Sequence, residues 1–199
     1  SIKDFQPQGI ILSGSPESTQ EGDHTPRAEQ VVFELGVPVL GICYGMQTMA
    51  IQLGGEVEST DHKEFGYAKV ALHEVGEFLA DIEDEVDDQG QAYLDVWMSH
   101  GDRVSKLPEG FHRVCGTDSA PLAGIADEQR HFYGLQFHPE VTHTLQGKRI
   151  LERFVRQICK ADANWKIDAI IDDQIERIRE QVGDDPVSYT HLRAHETRY

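Results

Sequence analysis

A cysteine between two glycines is the residue of this sequence best placed for covalent chemistry. Cys43 lies two residues after Gly41 and two before Gly45, where an apolar, strand-like run gives way to a helical pattern. Small neighbours allow the sharp turn of a nucleophile elbow and let a substrate approach the central residue closely. The dipole of the following helix also favours the thiolate, the reactive form of cysteine. We therefore predict Cys43 as a nucleophile, with a buried structural cysteine beside turn glycines as the alternative.

A His-Pro-Glu turn supplies groups that could activate this thiol. His138 follows an apolar run at 132–137 that is typical of a buried strand, and catalytic groups of open α/β sheets gather at strand ends. Pro139 stiffens the turn, so the carboxylate of Glu140 can reach the imidazole and fix its tautomer and orientation. Together with Cys43, these residues form a Cys-His-Glu set suited to nucleophilic attack on a carbonyl carbon.

A turn-forming loop provides the third element of such a site. The loop at 13–16, with the sequence Ser-Gly-Ser-Pro, follows a short apolar strand pattern at 9–13. Backbone N–H groups in a tight loop, together with the N–H of Tyr44 after the nucleophile, can hold the oxyanion that forms during acyl transfer. Turn-forming sequences are common, so this loop by itself also fits a plain connection.

Alternating strands and helices are predicted to position these residues. The strand at 9–13 is followed by apolar residues at helical spacing over 28–35, where Gly36 stops the helix. A second strand is predicted at 37–42, and a short helix at 46–53 is closed by a glycine pair. This order is typical of a mostly parallel sheet that helices cover on both faces.

The remaining sequence adds strands with little helix between them and then two helices. Apolar stripes at helical spacing cover 150–158 and 167–182. The fold class that we predict is α/β, with a mixed, mostly parallel open sheet that is flanked by helices and carries antiparallel additions. The additional strand patterns lie at 67–72, 93–98, 111–115, 121–126 and 132–137.

Composition argues against several classes of function. The 199-residue chain is 39% hydrophobic, which suffices for one compact domain with an appendage. Its 35 acidic and 18 basic residues give a formal net charge of -17, which is unfavourable for binding nucleic acid. The apolar runs are too short to span a bilayer, so no membrane partner is expected. Three widely spaced cysteines suit free thiols, and we expect a cytoplasmic protein.

The three motifs, in this order, resemble those of the class I (triad) glutamine amidotransferases. The resemblance covers residues 5–159. It extends to the amino-acid sequence around the motifs, at 9–13, 43–50, 95–102 and 136–143. Matches of this length are specific. The family resemblance implies an amidotransferase domain with a Cys-His-Glu triad.

The resemblance also implies roles for individual residues. It implies Cys43 as nucleophile, His138 as general base and then acid, and Glu140 as the group that orients His138. The backbone N–H groups of Ser15 and Tyr44 are implied to form the oxyanion hole, with Ser15 at the position where the family usually has a second glycine. The residues implied to hold glutamine are Gly14, Gln47, Ser99, His100, Gly101 and Asp102.

The implied reaction is hydrolysis of glutamine to glutamate and ammonia, which requires neither a metal nor a cofactor. The ammonia is expected to pass to an ATP-pyrophosphatase (synthetase) domain of the same enzyme, which aminates xanthosine monophosphate to guanosine monophosphate. ATP and Mg²⁺ are expected to bind in that domain, outside this chain. The full-length enzyme is expected to be a homodimer.

The resemblance divides the chain into three parts. Residues 1–160 are predicted to be the amidotransferase domain without the family's opening strand, helix and next strand, so an N-terminal truncation is expected. Residues 161–185 resemble a linker helix that leads to the synthetase domain. Residues 186–199 lose apolar periodicity and are rich in His, Arg and Thr, which predicts a non-native tail.

Other interpretations remain open from the sequence. The triad also fits an amidotransferase subunit of another biosynthetic enzyme, and the shortened N-terminal side fits a catalytically inert, truncated domain. A cysteine peptidase uses similar groups, although its cysteine commonly begins a long helix and its substrate needs an extended cleft. A metal site is a further alternative, but no His-x-x-x-His or Cys-x-x-Cys core joins His62, His73, His100, His112, His131 and His143.

Overall fold

One mixed sheet runs through the part of the chain that the computed structural model describes, which is residues 2–19, 25–163 and 167–183. The chain divides into two units, Ser1–Ala161 and Asp162–Tyr199, and the sheet belongs to the first. Its eight described strands are β1 (Ile10–Leu12), β2 (Val39–Ile42), β3 (Glu56–Leu72), β4 (Glu85–Val86), β5 (Ala92–Lys106), β6 (His112–Gly116), β7 (Gly124–Asp127) and β8 (Phe132–Leu135).

Helices connect and flank these strands. In the first unit they are α1 (Ile2–Phe5), a 3-10 turn (Gln30–Phe33), α2 (Tyr44–Gln52), α3 (Gly76–Leu79), α4 (Gly147–Glu152) and a π-helical stretch (Arg153–Ile158). The second unit, described by itself, contains α5 (Ile167–Val182), which lies within the predicted linker helix at 161–185. The predicted tail at 186–199 lies outside the described residues. Among the helices that the structure describes, none is both long and apolar enough to cross a membrane.

The strand order is β1-β2-β8-β7-β6-β3-β5-β4. The prediction of a mixed, open sheet flanked by helices is confirmed, but the predicted majority of parallel strands is wrong. Of the described strand pairs, only β1 with β2 and β2 with β8 are parallel. The other five pairings are antiparallel. Antiparallel neighbours need only a short turn, such as those at 117–123 and 128–131, whereas each parallel pair needs a long crossover.

The strand β3 and its partner β5 form a ribbon that is much longer than the apolar patterns at 67–72 and 93–98 predicted. The two strands contain 17 and 15 residues, with irregular register between Ser59 and Glu64. Burial alternates along β5, but beyond residue 98 the buried positions include the polar residues His100 and Asp102. Because these buried positions are polar, the alternation of apolar residues predicts strands that are shorter than the observed ones.

The helix predicted at 28–35 is reduced to the 3-10 turn. Glu29, before that turn, has extended backbone angles of φ -60° and ψ 137°. The backbone of Ala28 is held by the side chain of Gln52, which accepts from the Ala28 N–H at 3.1 Å and donates to its carbonyl at 2.8 Å. These tertiary bonds replace the intrahelical bonds that the spacing alone predicts. Gly36, predicted to stop the helix, lies three residues beyond the turn at φ 71°, in the left-handed region.

Two apolar clusters lie on the two faces of the sheet. Two neighbouring residues of β2 point to opposite faces, so Val39 packs in one cluster and Leu40 in the other. Met46 and Met49 of α2 pack with Val39, while α3 and the helical segment at 147–158 pack on the opposite face. The helix that follows Cys43 is therefore fixed by burial.

Candidate active site

The predicted elbow is present between β2 and α2. Cys43 has φ 51° and ψ -107°, a strained conformation for a residue with a side chain. A Cβ atom at Gly45 would lie 2.0 Å from the Leu12 carbonyl oxygen, and one at Gly41 would lie 2.6 Å from the Met46 nitrogen. Both glycines are therefore required for α2 to begin directly after the thiol.

Adjacent strand ends bring the predicted catalytic residues together. The strands β1, β2 and β8 are neighbours and parallel, so their carboxyl ends share one edge of the sheet. Gly14 follows β1, Cys43 follows β2 and His138 follows β8. A Cβ atom placed on Gly14 would lie 3.2 Å from His138 Cε1 and 3.7 Å from Cys43 Cβ. The thiol and the imidazole, far apart in the chain, therefore lie around one point.

The imidazole of His138 is oriented by Glu140. Its Nδ1 lies 2.6 Å from Glu140 Oε1, and because a carboxylate accepts, Nδ1 carries the hydrogen. The other ring nitrogen, Nε2, is then free to exchange a proton. The backbone of His138 is also fixed, since its N–H donates to the Trp97 carbonyl at 3.1 Å and its carbonyl accepts from the Thr144 hydroxyl at 2.6 Å. This turn holds the base in one orientation.

The thiol of Cys43 is a neutral donor in this structure. Its Sγ lies 3.5 Å from the Ser99 carbonyl oxygen, which accepts the S–H. Burial raises the pKa of Cys43 to about 11, and the nearby Tyr44 N–H and Gln136 side chain oppose this rise only in part. The sequence predicted that the helix N-terminus would favour the thiolate, but desolvation by burial has the larger effect here. The thiol therefore requires a base such as His138.

The two predicted oxyanion donors both border the cleft. Tyr44 is the first residue of α2, and N–H groups of a first helical turn have no partner within the helix. Ser15 lies in the loop after β1, where its hydroxyl oxygen accepts the Glu17 N–H at 3.3 Å. The Ser15 side chain is thus turned into its own loop. Ser15 keeps the backbone N–H that is predicted as an oxyanion donor, and the residue lines the cleft.

A cleft of about 880 Å³ surrounds these groups. All six residues predicted to hold glutamine line it: Gly14, Gln47, Ser99, His100, Gly101 and Asp102. Four residues that sequence reasoning did not single out also line it: Glu17, Ser18, Ser59 and Phe65. These four come from the loop after β1 and from β3, where turn residues and a polar strand carry no distinctive signal. Among the described residues, no group of three or more His, Cys, Asp or Glu side chains is arranged to hold a metal ion.

Polar residues of β5 stiffen the wall of the cleft. The ring of His100 is buried, with Nδ1 3.1 Å from the Asp102 carbonyl and Nε2 3.2 Å from a Glu64 carboxylate oxygen. Burial lowers the pKa of His100, and Glu64 opposes this change. The Asp102 carboxylate accepts from Ser18 Oγ at 2.5 Å, the Thr19 N–H at 3.2 Å and Ser59 Oγ at 2.7 Å. It therefore ties β5 to β3 and to the loop after β1.

Comparison with known proteins assigns the chain to a family. The family model for glutamine amidotransferase class-I matches residues 1–158. The chain therefore belongs to the class I glutamine amidotransferase family, which confirms the resemblance seen in the sequence motifs.

Curated relatives match most of this chain at high sequence identity. The chain is 61% identical over 182 residues to a GMP synthase (glutamine-hydrolyzing) of Methylococcus capsulatus, and 58% identical over 186 residues to one of Cellvibrio japonicus. These matches cover 92% and 94% of this chain but only 34% and 35% of the relatives. The chain therefore spans about a third of the length of these curated relatives.

Solved structures agree on the fold. A crystal structure of a GMP synthase subunit from Thermoplasma acidophilum has a TM-score of 0.62 and 26% sequence identity, covering 84% of this chain and 76% of that one. A glutamine amidotransferase from Thermotoga maritima, 24% identical, has a TM-score of 0.53 and covers 86% of this chain and 65% of its own. This second likeness concerns the fold alone.

Proposed function

We propose that this chain hydrolyses glutamine to glutamate and ammonia, with Cys43 as the nucleophile. The observation that carries the proposal is the convergence of the Cys43 elbow, the His138–Glu140 pair and the loop after β1 in one cleft. Membership of the class I glutamine amidotransferase family supports the same reaction.

The mechanism begins with transfer of the thiol proton to His138. A rotation about the Cα–Cβ bond turns the S–H of Cys43 from the Ser99 carbonyl to the imidazole, whose Nε2 accepts the proton. The sulfur attacks the side-chain amide carbon of glutamine, and the carbonyl oxygen becomes an oxyanion held by the N–H groups of Ser15 and Tyr44. Glu140 stabilises the imidazolium that forms.

The tetrahedral intermediate then collapses. His138 returns the proton to the leaving nitrogen, the C–N bond breaks, and ammonia departs while a glutamyl thioester remains on Cys43. A water molecule gives a proton to His138 and attacks the thioester carbon. When the second intermediate collapses, the C–S bond breaks, glutamate leaves and the sulfur recovers its proton. Each step uses the same base and the same oxyanion donors.

The cleft wall also supports a site for the amino-acid end of glutamine. We assign this contact to Gly14, Gln47 and the β5 stretch Ser99, His100, Gly101 and Asp102, which all line the cleft. The side chains of Gln47 and His100 are occupied by bonds within the wall. The Asp102 carboxylate is likewise occupied by Ser18, Thr19 and Ser59, so backbone groups are the groups most available to substrate.

For the complete enzyme we propose transfer of the ammonia to an ATP-pyrophosphatase (synthetase) domain that aminates xanthosine monophosphate to guanosine monophosphate. The support is the name GMP synthase (glutamine-hydrolyzing) carried by relatives about three times as long as the matched region. ATP and Mg²⁺ belong to that domain in this proposal, and the complete enzyme is a homodimer. The free thiols of Cys43, Cys115 and Cys159 support a cytoplasmic location.

The proposal is tested by glutamate release from the 199-residue chain. We expect Cys43→Ala to reduce release to background, because the thioester cannot form, while Cys115→Ala serves as a control at a buried thiol outside the cleft. Circular dichroism checks that both variants fold. Equal glutamate release from the parent and the Cys43→Ala variant would contradict the assignment.

A glutamine-mimicking diazo-ketone provides a second measurement that does not depend on turnover. Mass spectrometry of the treated chain should find the adduct on Cys43 and leave Cys115 and Cys159 unmodified. An adduct on Cys159 with none on Cys43 would place the reactive thiol elsewhere.

A further inference from the structure

Two buried carboxamides lie behind Cys43 and connect its sulfur to β5. Gln136 directly follows β8, is 1% exposed, and has its Nε2 3.6 Å from the Cys43 sulfur. Its Oε1 accepts a 3.2 Å hydrogen bond from Gln47 Nε2. The same Gln47 nitrogen donates to the backbone carbonyl of Asp102 at 2.8 Å. These contacts form a continuous path from the nucleophile to the wall of the cleft.

The far end of this path fixes which atom of Gln136 faces the sulfur. The Asp102 carbonyl can only accept, so Gln47 must present its NH₂ group there. That NH₂ group also faces Gln136, which must therefore present its oxygen to Gln47. A flipped Gln136 would set two NH₂ groups against each other. The hydrogen-bond network thus directs the NH₂ group of Gln136 to Cys43.

We propose that Gln136 is a further catalytic residue, which donates a hydrogen bond to the Cys43 thiolate when the thiol proton moves to His138. The proposal rests on the proposed function of Cys43 as nucleophile. A sulfur anion formed in a buried site requires donors to offset its desolvation. In the proposed mechanism the Tyr44 N–H donates to the substrate oxyanion, which leaves Gln136 as the donor to the sulfur that does not contact substrate.

The position of Gln136 suits a group that acts on the sulfur and not on glutamine. It reaches the sulfur from within the protein and is not among the residues that line the cleft. Its backbone is fixed, because its N–H donates to the Ala123 carbonyl at 2.8 Å. Its effect should therefore appear in the reactivity of the thiol itself, even without substrate.

The test is the pH dependence of Cys43 alkylation by iodoacetamide in the full 199-residue chain. Gln136→Met keeps the shape of the side chain but removes the donor, so we expect the alkylation profile to move to higher pH by about one unit. At pH 8 the rate should fall only a few-fold, because a less stabilised thiolate is also more nucleophilic. Gln136→Asn, whose amide is drawn back from the sulfur, should shift the profile in the same direction and carries the test if the Met variant does not fold.

Internal and matched controls separate this role from a structural one. Loosened packing would speed alkylation of Cys43 and of half-buried Cys159 together, whereas loss of the donor slows Cys43 alone. Ile125→Val, at a buried site away from the sulfur, should lower thermal stability without moving the Cys43 profile. An unchanged profile in folded Gln136 variants, or faster alkylation at both thiols, would overturn the proposal. Glutamate release is measured separately, so failure of the hydrolysis proposal would be distinguishable from failure of this one.

Discussion

The two halves of the sheet differ in how they serve the cleft. The parallel strands β1, β2 and β8 contain only three or four residues each, and the predicted thiol, base and oxyanion loop begin within three residues of their ends. The antiparallel ribbon of β3 and β5 is 17 and 15 residues long, and it contributes polar side chains from its interior. The short strands place the reacting groups, whereas the ribbon builds the wall beside them.

Because of this division, substitutions in the two regions should differ in how much they change activity and how much they change stability. At the parallel edge, Gly14 faces the catalytic side chains and not backbone, so a methyl group added there should change the chemistry more than the stability. In the ribbon, a buried carboxylate holds separate segments together, so its removal changes stability first. Substitutions that affect activity and stability in opposite proportions can therefore test the comparison.

Among substitutions that keep the triad residues, the largest effect on activity is expected from Gly14→Ala at the parallel edge. The new Cβ would lie 3.2 Å from His138 Cε1, so the imidazole must move by some tenths of an ångström. Displaced catalytic groups lose rate steeply, and we expect kcat/KM for glutamine to fall at least about tenfold. The free energy of unfolding should stay the same or rise by up to about 1 kcal/mol, as for a Gly→Ala change at a compatible backbone.

Gly36→Ala is the matched control for that change. Gly36 lies in the left-handed region at φ 71°, and a Cβ there would meet no atom within 4 Å. We expect a loss of about 1 kcal/mol in unfolding free energy, measured by urea denaturation, with kcat/KM unchanged. If the Gly14→Ala chain kept full activity, the His138 imidazole would be able to move without loss of catalysis, which would contradict the prediction.

The sequence predicts the parallel edge far better than the ribbon, for a physical reason. Cys43 and His138 follow compact apolar strands, and glycine or proline beside each marks a sharp turn, so type and spacing indicate both position and chemistry. In the ribbon, buried and less buried positions continue to alternate along β5, but some buried positions are polar, such as His100 and Asp102. Their burial depends on partners in other segments of the chain. Gln136 was visible only as part of a strand pattern, because its contact with the thiol arises from folding.

A smaller effect on activity, with a larger effect on stability, is expected from Asp102→Ala in the ribbon. Three hydrogen bonds to its carboxylate are lost, from Ser18, Thr19 and Ser59, and we expect the unfolding free energy to fall by about 2–3 kcal/mol. Because Ser18 and Ser59 line the cleft, KM for glutamine should also rise. Urea denaturation and steady-state kinetics measure the two changes.

Asp127→Ala provides the comparison at the β7–β8 turn. Asp127 is also buried, and it accepts from the backbone N–H groups of Gln129 and Arg130 and from the Arg130 side chain. We expect a similar loss of stability with KM unchanged. If both variants raised KM equally, the effect of Asp102 would reflect general loosening instead of its link to the cleft.

The smallest effect is expected at the surface of the ribbon. Lys106 and Glu56 form a 2.6 Å ion pair between β5 and β3, but both side chains are more than half exposed. Water screens such a pair, so Lys106→Gln should change the unfolding free energy by less than about 0.5 kcal/mol. Two residues earlier, Val104 is buried in the core on the same strand, and Val104→Ala should cost about 2 kcal/mol. Urea denaturation measures both changes. Equal losses of unfolding free energy would mean that the cross-strand ion pair stabilises the ribbon as much as the buried side chain does. A loss confined to Val104→Ala would show that the stability of the ribbon comes from its buried face, which also carries His100 and Asp102.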